Sequence, residues 1–454
     1  MELRNRKVLV VGTGISGVAA TNLICSNNGK VTLLDGNTKL NEDEIRNLIP
    51  ADYQVNIVIG ELSEEELQKF DYVVLSPGVP TDLPFLDFVR SNNIPIIGEI
   101  ELAYAFEPGR VVGITGTNGK TTTTALTGAI MRTYFDSVKV VGNIGLPYTS
   151  MVCDNRADSV TVAELSSFQL ETVVKFHPVV SAILNISPDH LNRHHTMEKY
   201  IEAKCNITKN QTSEDTCVLN YEDEVLREYG KTLNCKVVYF SSQRELETGM
   251  YLKDNVICWA DGKKVKKICD VNELLLLGTH NYENVMAAVA MAIAMKVPFD
   301  CIYKAITTFR AVEHRIEFVE EVNGVKYYND SKGTNPDAAI KGIKAMNTKT
   351  LLIGGGYDKD SQFDEWIQAF DGKVKYLVLL GQTKEKIYET AKRNGFTDII
   401  MVESLEEAVD TCYRLAEPGE SVLLSPACAS WGMFKNYEQR GDMFKEMVKK
   451  LNKK

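Results

Sequence analysis

Short apolar runs rich in β-branched residues alternate with longer helical patterns along most of the chain. This alternation is typical of parallel sheets whose strands are joined by helices. The runs fall into three series, each opened by a strand and a glycine-marked turn. The predicted strands are Val8–Val11, Val31–Leu34 and Tyr72–Leu75; Val111–Ile114, Val138–Val141, Val160–Ala163 and Val180–Leu184; and Leu351–Ile353, Leu377–Leu380, Ile399–Val402 and Val422–Leu424. The sequence therefore predicts an α/β protein with three domains.

The chain of 454 residues is long enough for several domains, since one domain usually takes about 100–200 residues. The turn signal Glu107–Gly109 precedes the second series of strands, and the segment Ala311–His314 precedes the third. We therefore predict domains at residues 1–107, 108–311 and 312–454.

The composition argues against several classes of protein. Basic residues number 51 and acidic residues 61, a net charge of -10, whereas nucleic-acid binding needs a basic face. The sequence has no apolar stretch of about 18 residues and no secretory signal before the first strand, so we expect no membrane span. The 10 cysteines form no Cys-x-x-Cys pair, which argues against a zinc ribbon. We expect a cytoplasmic protein with small-molecule partners.

The segment Gly113–Thr124 (GITGTNGKTTTT) follows an apolar strand and leads into a helical pattern. A glycine-rich loop at a helix N-terminus directs backbone N–H groups at phosphate oxygens. Lys120 would reach the β- and γ-phosphates, and the Thr121 hydroxyl would bind Mg²⁺. The alternative is a glycine-rich turn with a surface lysine. The order of strand, glycines, Lys-Thr and helix favours a nucleoside triphosphate site made of Gly116, Thr117, Asn118, Gly119, Lys120, Thr121 and Thr122.

The spacing within this loop departs from the strict P-loop, which has four residues between its first glycine and Gly-Lys-Thr. Here Gly113 and Gly119 enclose five residues. The resulting pattern, G-x-x-G-T-x-G-K-T-T, resembles the Mur ligase family and the related folylpolyglutamate synthases. The resemblance implies ATP-dependent amide formation through an acyl phosphate. It also implies a Rossmann-like N-terminal domain, a central P-loop-type ATPase domain and a C-terminal Rossmann-like α/β domain.

A second glycine-rich loop, Gly12–Gly17, follows the first predicted strand, and Asp35 ends the next strand. Alone this pattern suggests a dinucleotide site, so an NAD-dependent oxidoreductase is one alternative. That alternative leaves Gly113–Thr124 unexplained. Beside the second nucleotide loop, Gly12–Gly17 is similar to the uridine-nucleotide domain of a Mur ligase. The resemblance implies UDP-substrate contacts from Gly14, Ile15, Ser16, Gly17, Asp35, Gly36, Asn37, Ser76, Gly78 and Asn143.

Polar residues also follow the strands of the second series, where ligands of open α/β sheets bind. Glu164 offers an oxygen ligand for Mg²⁺, and the resemblance makes His190 a second-metal ligand. The alternative for each is a capping or surface residue, but their position at strand ends favours function. Taken alone, Lys204 reads as a surface lysine. The resemblance instead implies that Lys204 is carbamylated and that Thr121, Glu164, His190 and Lys204 hold two Mg²⁺ ions. We expect His194 and His195 to face solvent.

The resemblance assigns further ATP contacts to residues from both sides of the predicted boundary at 311. Asn281 and Asn284, three residues apart on one helical face, would recognise adenine, although Asn281 could also cap the helix. Arg315 would reach the ATP phosphates, Asp330 would contact the nucleotide, and Lys332 would be catalytic. Surface ion pairs are the alternative for the last three. With Lys332, the residues implied to be catalytic are Lys120, His190 and Lys204.

The C-terminal segments Ser425–Ser430 and Phe434–Asp442 resemble the D-glutamate-adding members of the family. The Asp-Asn-Pro-Arg string of diaminopimelate-adding members is absent. The resemblance implies that Thr334, Lys359, Ser430 and Tyr437 surround D-glutamate. It also implies a monomer that joins D-glutamate to UDP-N-acetylmuramoyl-L-alanine during peptidoglycan precursor synthesis.

Two further functions compete with this interpretation. A folylpolyglutamate synthase-like ligase shares the phosphate loop, but such enzymes usually lack an N-terminal domain like residues 1–107. A nucleotide-dependent regulatory protein without turnover would not need Glu164, His190 and Lys204 together.

Overall fold

The computed structural model describes residues 1–143, 145–310, 313–358 and 361–451. Within these residues the strands form three sheets of five, nine and six strands, in which most neighbours run parallel. This confirms the predicted α/β class. The chain divides into two compact units, the first comprising Met1–Ile268 with Glu283–Ala305 and the second Cys269–Tyr282 with Ile306–Lys454. The boundaries at 107 and 311 stay predictions, and residues 311 and 312 lie outside the described residues.

The first sheet has the order β3-β2-β1-β4-β5, and its neighbours all run parallel. Its strands are β1 (Lys7–Val11), β2 (Lys30–Asp35), β3 (Val55–Ile59), β4 (Tyr72–Leu75) and β5 (Ile96–Gly98). Its helices are α1 (Ile15–Ser26), α2 (Glu42–Arg46), α3 (Glu64–Leu67), α4 (Pro84–Ser91) and α5 (Glu99–Tyr104). The strand order reverses between β1 and β4, and ligands of open α/β sheets bind at such a point.

The central sheet has the order β14-β13-β12-β11-β10-β9-β6-β8-β7. Its strands are β6 (Arg110–Thr115), β7 (Val138–Gly142), β8 (Val160–Glu164), β9 (Val180–Ile183), β10 (Thr216–Asn220), β11 (Lys236–Ser241), β12 (Thr248–Lys253), β13 (Val256–Asp261) and β14 (Val265–Asp270). The helices that follow in this region are α6 (Lys120–Arg132), α7 (Tyr148–Met151), α8 (Ser167–Leu170), α9 (Leu191–His194), α10 (Met197–Cys205), α11 (Glu224–Gly230), α12 (Thr279–Ala294) and α13 (Phe299–Thr308). Because β6 pairs in parallel with both β8 and β9, the loops after these three strands meet at one edge.

The third sheet has the order β15-β16-β20-β17-β18-β19, with only the β15–β16 pair antiparallel among the pairs described. Its strands are β15 (Glu317–Val322), β16 (Val325–Asn329), β17 (Thr350–Gly354), β18 (Val374–Leu379), β19 (Ile399–Met401) and β20 (Ser421–Leu424). Its helices are α14 (Pro336–Ala345), α15 (Asp364–Gln368), α16 (Lys384–Arg393), α17 (Leu405–Leu415) and α18 (Tyr437–Leu451).

The central strands are buried on both faces, as their nearly continuous apolar sequences require. Every predicted run coincides with an observed strand. The parallel strands β3, β5, β10 and β11 and the antiparallel pairs were not predicted. The β12–β13 hairpin, for example, turns at Asp254 and Asn255, which both have positive φ, as a tight hairpin of this kind requires. No described helix is long and apolar enough to cross a membrane.

Helix α5 connects the first and central sheets through a buried carboxylate. Glu101 is 6% exposed, and its two oxygens accept backbone N–H groups of Val174, Lys175 and Phe176 at 2.9, 2.8 and 2.9 Å. Glu107 makes a similar set of contacts, because its carboxylate accepts hydrogen bonds from the side chains of Tyr148 and two other residues of the central region. Since three backbone donors depend on one side chain, Glu101 stabilises the packing between the two sheets.

We expect Glu101→Ala to lower the stability of the first unit by roughly 3 kcal/mol, because buried N–H groups left without an acceptor are costly. The matched control is Glu65→Ala, which changes an exposed glutamate of α3 and should cost less than about 0.5 kcal/mol. Differential scanning calorimetry of the two variants checks this. Equal thermal midpoints would show that the Glu101 contacts do not stabilise the junction.

Candidate active site

The phosphate loop runs from the end of β6 to the start of α6. Gly116 and Gly119 have φ of 147° and 83°, a backbone region that side chains rarely adopt. A Cβ on Gly119 would lie 2.3 Å from Oδ1 of Asn284, so a larger residue there would have to displace that side chain as well as adopt a positive φ. The N-terminus of α6, a helix of 13 residues beginning at Lys120, therefore presents its N–H groups beside a close backbone turn, as a phosphate site requires.

The ammonium group of Lys120 lies over this loop. Its Nζ donates to the carbonyl oxygens of Gly116 and Thr117, each at 2.8 Å. Asn185, which follows β9, accepts the N–H of Asn118 with its Oδ1 at 2.8 Å and donates its Nδ2 to the Asn118 carbonyl. The loop is thus held in shape by side chains as well as by its glycines.

Lys204 on α10 lies against the same loop, and only 2% of it is exposed. Its Nζ donates to the Gly116 carbonyl at 2.8 Å and lies 4.7 Å from the ring centroid of Tyr200. Burial, and then the nearby charge of Lys120, lower the pKa of Lys204 to about 7. The residue that sequence alone reads as a surface lysine is therefore a buried amine beside the phosphate loop.

Glu164 ends β8 and is 1% exposed. Its Oε1 accepts a hydrogen bond from Nδ2 of Asn143 at 2.9 Å, and its carbonyl accepts the Asn143 N–H at 2.8 Å. The turn at Gly142 allows this approach, since a Cβ there would lie 2.1 Å from the Glu164 carbonyl oxygen. The carboxylate predicted to bind metal is thus oriented by a residue predicted to bind the UDP substrate.

The three histidines after β9 differ in their surroundings. His190 is exposed and has φ 52°, and its ring lies 4.9 Å from that of Phe168. His195 is exposed, as expected. The expectation that His194 faces solvent was wrong. It is 3% exposed, with Nδ1 3.2 Å from Oε1 of Glu171 and Nε2 2.9 Å from Oγ of Ser167.

The residues predicted to hold Mg²⁺ include a carboxylate, a hydroxyl and an imidazole. Among the described residues, no cluster of three or more His, Cys, Asp or Glu side chains could hold a metal ion. Magnesium in phosphate-transfer sites usually takes one or two carboxylates, with water and substrate phosphates as the remaining ligands. Glu164 is a single buried carboxylate near the phosphate loop, which suits that pattern. A site whose ligands all come from the protein would not suit it.

A cavity of about 580 Å³ lies at the switch point of the first sheet, where the UDP substrate was predicted to bind, and we call it the UDP pocket. Most of its lining comes from the loops after β1 and β4, and Gly142, Asn143 and Gln169 come from the end of β7, the loop after it and α8. The predicted residues that line it are Gly14, Ile15, Ser16, Asp35, Gly36, Ser76, Gly78 and Asn143. Gly17 and Asn37 are not among the lining residues. Gly17 instead allows close packing, since a Cβ there would lie 1.8 Å from the Gly12 carbonyl oxygen.

Asp35 lies at the mouth of this pocket. Thr13 donates its N–H and hydroxyl to Oδ2 at 3.0 and 2.7 Å, and the N–H of Asn37 donates to Oδ1 at 3.0 Å. Partial burial opposes ionisation, but these hydrogen bonds outweigh it and hold the pKa of Asp35 below its ordinary value. Asp35 is therefore an ionised acceptor at neutral pH.

The second unit places several predicted residues near the end of β16. Asp330 is buried, and Ser425 donates its hydroxyl to Oδ2 at 2.6 Å. Burial raises the pKa of Asp330 to about 7. Nζ of Lys332 lies 5.6 Å from the ring centroid of Tyr437. Ser430 is buried, whereas Thr334 is half-buried and Arg315 exposed.

Asn281 and Lys359 are the two remaining predicted residues of the second unit. Asn281 is not at the helix cap, because α12 begins earlier, at Thr279; its Nδ2 donates to the Leu277 carbonyl at 2.8 Å. Lys359 lies outside the described residues. The roles given to all these residues stay predictions.

Sequence reasoning missed several residues that build these sites. Gln169 lines the UDP pocket, and the hydroxyl of Tyr200 lies 2.9 Å from Oγ1 of Thr117 in the phosphate loop. Arg440 is 2% exposed and donates to the carbonyls of Ser331 and Cys428. Gln169 belongs to the polar segment that follows β8, which was a usable signal. Tyr200 and Arg440 lie on longer helices, where sequence does not reveal what a side chain contacts.

Comparison with known families agrees with this geometry. The N-terminal region, residues 6–98, matches the Mur ligase MurD-like N-terminal domain. Residues 114–292 match the Mur ligase middle domain, and residues 314–428 match the Mur ligase glutamate ligase domain. The chain belongs to the Mur ligase family. Mur ligases are ATP-dependent enzymes that form amide bonds, so the chain is a ligase of this class.

Similar Mur ligases match over nearly their whole length. The UDP-N-acetylmuramoylalanine--D-glutamate ligase of Lachnoclostridium phytofermentans is 61% identical, over 99% of both chains. The ligase of the same name from Lachnospira eligens is 53% identical, over 99% of this chain and 100% of its own. Both comparisons favour a Mur ligase over a folylpolyglutamate synthase.

Solved Mur ligase structures share the fold at much lower identity. UDP-N-acetylmuramate-alanine ligase MurC from Thermotoga maritima has a TM-score of 0.56 at 20% identity, covering 98% of this chain and 99% of its own. MurF ligase from the same organism, solved in complex with ADP, has a TM-score of 0.56 at 17% identity, covering 99% and 96%. These likenesses show that the three-domain α/β fold is shared by Mur ligases.

Proposed function

We propose that this chain joins D-glutamate to UDP-N-acetylmuramoyl-L-alanine, with ATP as the energy source, in peptidoglycan precursor synthesis. The observation that carries the proposal is the 61% identity, over 99% of both chains, to the D-glutamate-adding ligase of Lachnoclostridium phytofermentans. The first unit supports it with two separate nucleotide-binding features, the phosphate loop Gly116–Lys120 and the cavity at the β1–β4 switch point.

The chemistry follows from the poor reactivity of a carboxylate toward an amine. Transfer of the γ-phosphoryl group of ATP to the acceptor carboxylate forms an acyl phosphate and releases ADP. The amine of D-glutamate then attacks the carbonyl carbon, an amide bond forms, and inorganic phosphate and a proton leave. Lys120 and the N-terminus of α6 stabilise the negative charge on the phosphate oxygens, so positioning and electrostatics account for most of the catalysis.

The magnesium ligands in this proposal are Thr121, Glu164, His190 and carbamylated Lys204. Two Mg²⁺ ions, when bound, supply positive charge that neutralises phosphate oxygens. The burial of Glu164 and its hydrogen bond from Asn143 support a fixed orientation for the carboxylate. An ordered carboxylate is what a hard cation needs from the protein.

Carbamylation would turn Lys204 from a repelling cation into an oxygen ligand. The neutral amine attacks CO₂, a nitrogen–carbon bond forms, and one proton is released, which leaves a group with two oxygens. Only the neutral amine reacts, and burial favours the neutral form by lowering the pKa of Lys204 to about 7. The contact with the Gly116 carbonyl supports this role because it places the amine at the phosphate loop.

The family resemblance assigns the remaining roles in this proposal. Lys332 is catalytic, and the ATP contacts are Asn281, Asn284, Arg315 and Asp330. The D-glutamate contacts are Thr334, Lys359, Ser430 and Tyr437. We also propose that the enzyme acts as a monomer in the cytoplasm, where ATP and UDP-linked sugars are made.

Phosphate release provides the test of the proposed function. With ATP, Mg²⁺ and UDP-N-acetylmuramoyl-L-alanine, addition of D-glutamate should start phosphate release and form an amide product of the expected mass. L-Glutamate is the matched control and should give less than about a hundredth of that rate, because the reversed stereocentre misplaces the amine or a carboxylate. The absence of D-glutamate-dependent release would contradict the proposal.

A further inference from the structure

The side chain of Arg193 joins two loops of the first unit that follow strands of different sheets. Its Nη2 donates to the carbonyl oxygen of Val79, after β4, and to Oε2 of Glu171, after β8, each at 2.8 Å. Its guanidinium carbon lies 5.0 Å from the ring centroid of Phe168, and 13% of the side chain is exposed. A planar guanidinium that makes three contacts with two segments has little freedom to move.

Val79, whose carbonyl accepts the hydrogen bond from Arg193, belongs to the wall of the UDP pocket. The Val79 N–H donates to the Ser76 carbonyl at 3.0 Å, and the Ser76 hydroxyl donates to the Gly12 carbonyl at 3.2 Å. Ser76 and Val79 both line the pocket. A Cβ on Gly12 would lie 2.9 Å from Cβ of Ser76 and 3.1 Å from Cγ2 of Val79. Val79 is therefore held to the Gly12 and Ser76 wall, so a shift of Val79 would carry this part of the pocket with it as a unit.

Arg193 itself belongs to the turn that carries His190. The N–H groups of Arg193 and His194 both donate to the His190 carbonyl, at 2.9 and 3.0 Å. His194 in turn bridges Glu171 and Ser167 through its two ring nitrogens. His190 adopts a left-handed conformation, which a non-glycine residue keeps only when its surroundings hold it. The Arg193–Glu171 pair and the His194 bridge supply such surroundings.

We propose that Arg193 is a positioning residue that sets the distance between the UDP pocket and the phosphoryl-transfer centre. The inference rests on the proposed function. UDP-N-acetylmuramoyl-L-alanine carries its nucleotide at one end and its reacting carboxylate at the other. A nucleotide bound in the pocket therefore delivers the carboxylate correctly only when the two loops keep their separation, and an error of about 1 Å can cost about 100-fold in rate.

The test compares Arg193→Ala and Arg193→Lys with Arg156→Ala, an exposed arginine of the same unit that pairs with Asp158. UDP alone reports on the pocket, ADP reports on the phosphate loop, and only the complete substrate depends on their separation. For Arg193→Ala we expect kcat to fall about 100-fold, while the Kd values of UDP and ADP change by less than about twofold. Arg193→Lys should recover part of kcat, since a lysine can reach one of the two oxygens.

Two results would overturn the inference. One is an unchanged kcat in Arg193→Ala. The other is a parallel loss of UDP binding, ADP binding and thermal midpoint, which would make Arg193 a general stabilising residue. Arg156→Ala should match the wild-type enzyme in every measurement. An inactive wild-type enzyme would instead contradict the proposed function, so the two failures are distinguishable.

Discussion

Replacing Lys120 with alanine is expected to slow D-glutamate-dependent phosphate release by about 100-fold to 1,000-fold. The side chain is the cation at the N-terminus of α6, and its Nζ lies 2.8 Å from two carbonyl oxygens of the phosphate loop. Removing one preorganised group that stabilises transition-state charge typically costs this much in kcat. Steady-state phosphate release measures the rate, and calorimetry checks that the thermal midpoint stays within a few degrees.

Lys231→Ala is the matched control for this change. Lys231 is exposed, belongs to the same unit and pairs with Glu228, so its loss should leave the rate unaltered. A Lys120→Ala variant that keeps wild-type kcat would show that Gly116–Lys120 does not bind the transferring phosphate.

Replacing Lys204 with alanine should reduce activity by at least about 100-fold, and a short carboxylic acid such as acetate should restore part of it. The substitution empties a buried position beside the Gly116 carbonyl. A free carboxylate can enter the resulting space and supply the two oxygens that the carbamate would have supplied. Charge-stabilising groups in such sites contribute about 100-fold or more.

The Lys120→Ala variant serves as the control for rescue, because a carboxylate cannot replace a cation. Acetate should therefore leave its activity low. If acetate restored activity in both variants, or in neither, the result would contradict the carbamate hypothesis. Wild-type activity in Lys204→Ala would remove Lys204 from the mechanism. Mass spectrometry under CO₂ offers an independent measurement, since a carbamate adds the mass of CO₂ to the peptide containing Lys204.

The α/β fold could be predicted well from local sequence because buried parallel strands are short and almost wholly apolar. Val8–Val11 and Val160–Ala163, for example, form strands where expected. The parallel strands β3, β5, β10 and β11 were not predicted, and neither were the strands of the β12–β13 and β15–β16 hairpins. Glu317–Val322 contains three glutamates, and such a strand is recognisable only when its partner and its exposed face are known.

The candidate site could be predicted where a glycine-rich turn or a strand end marks it. Gly116–Lys120 comes directly after β6 and Glu164 ends β8, and parallel topology brings such ends to one edge. His194 shows where this reasoning fails. We expected it to face solvent, yet Phe168 and Tyr200 pack around its ring, and no local pattern encodes those contacts.

The amino-acid sequence alone was sufficient to establish the fold class, the phosphate loop and the resemblance to Mur ligases, since these depend on local spacing and hydrophobic pattern. Tertiary packing was needed to place Lys204 beside Gly116 and to join Val79 to Glu171 through Arg193. Both lysine and arginine are ordinarily surface residues. Whether they are buried, and what pKa they then have, depends on segments distant in sequence that only the folded chain brings together.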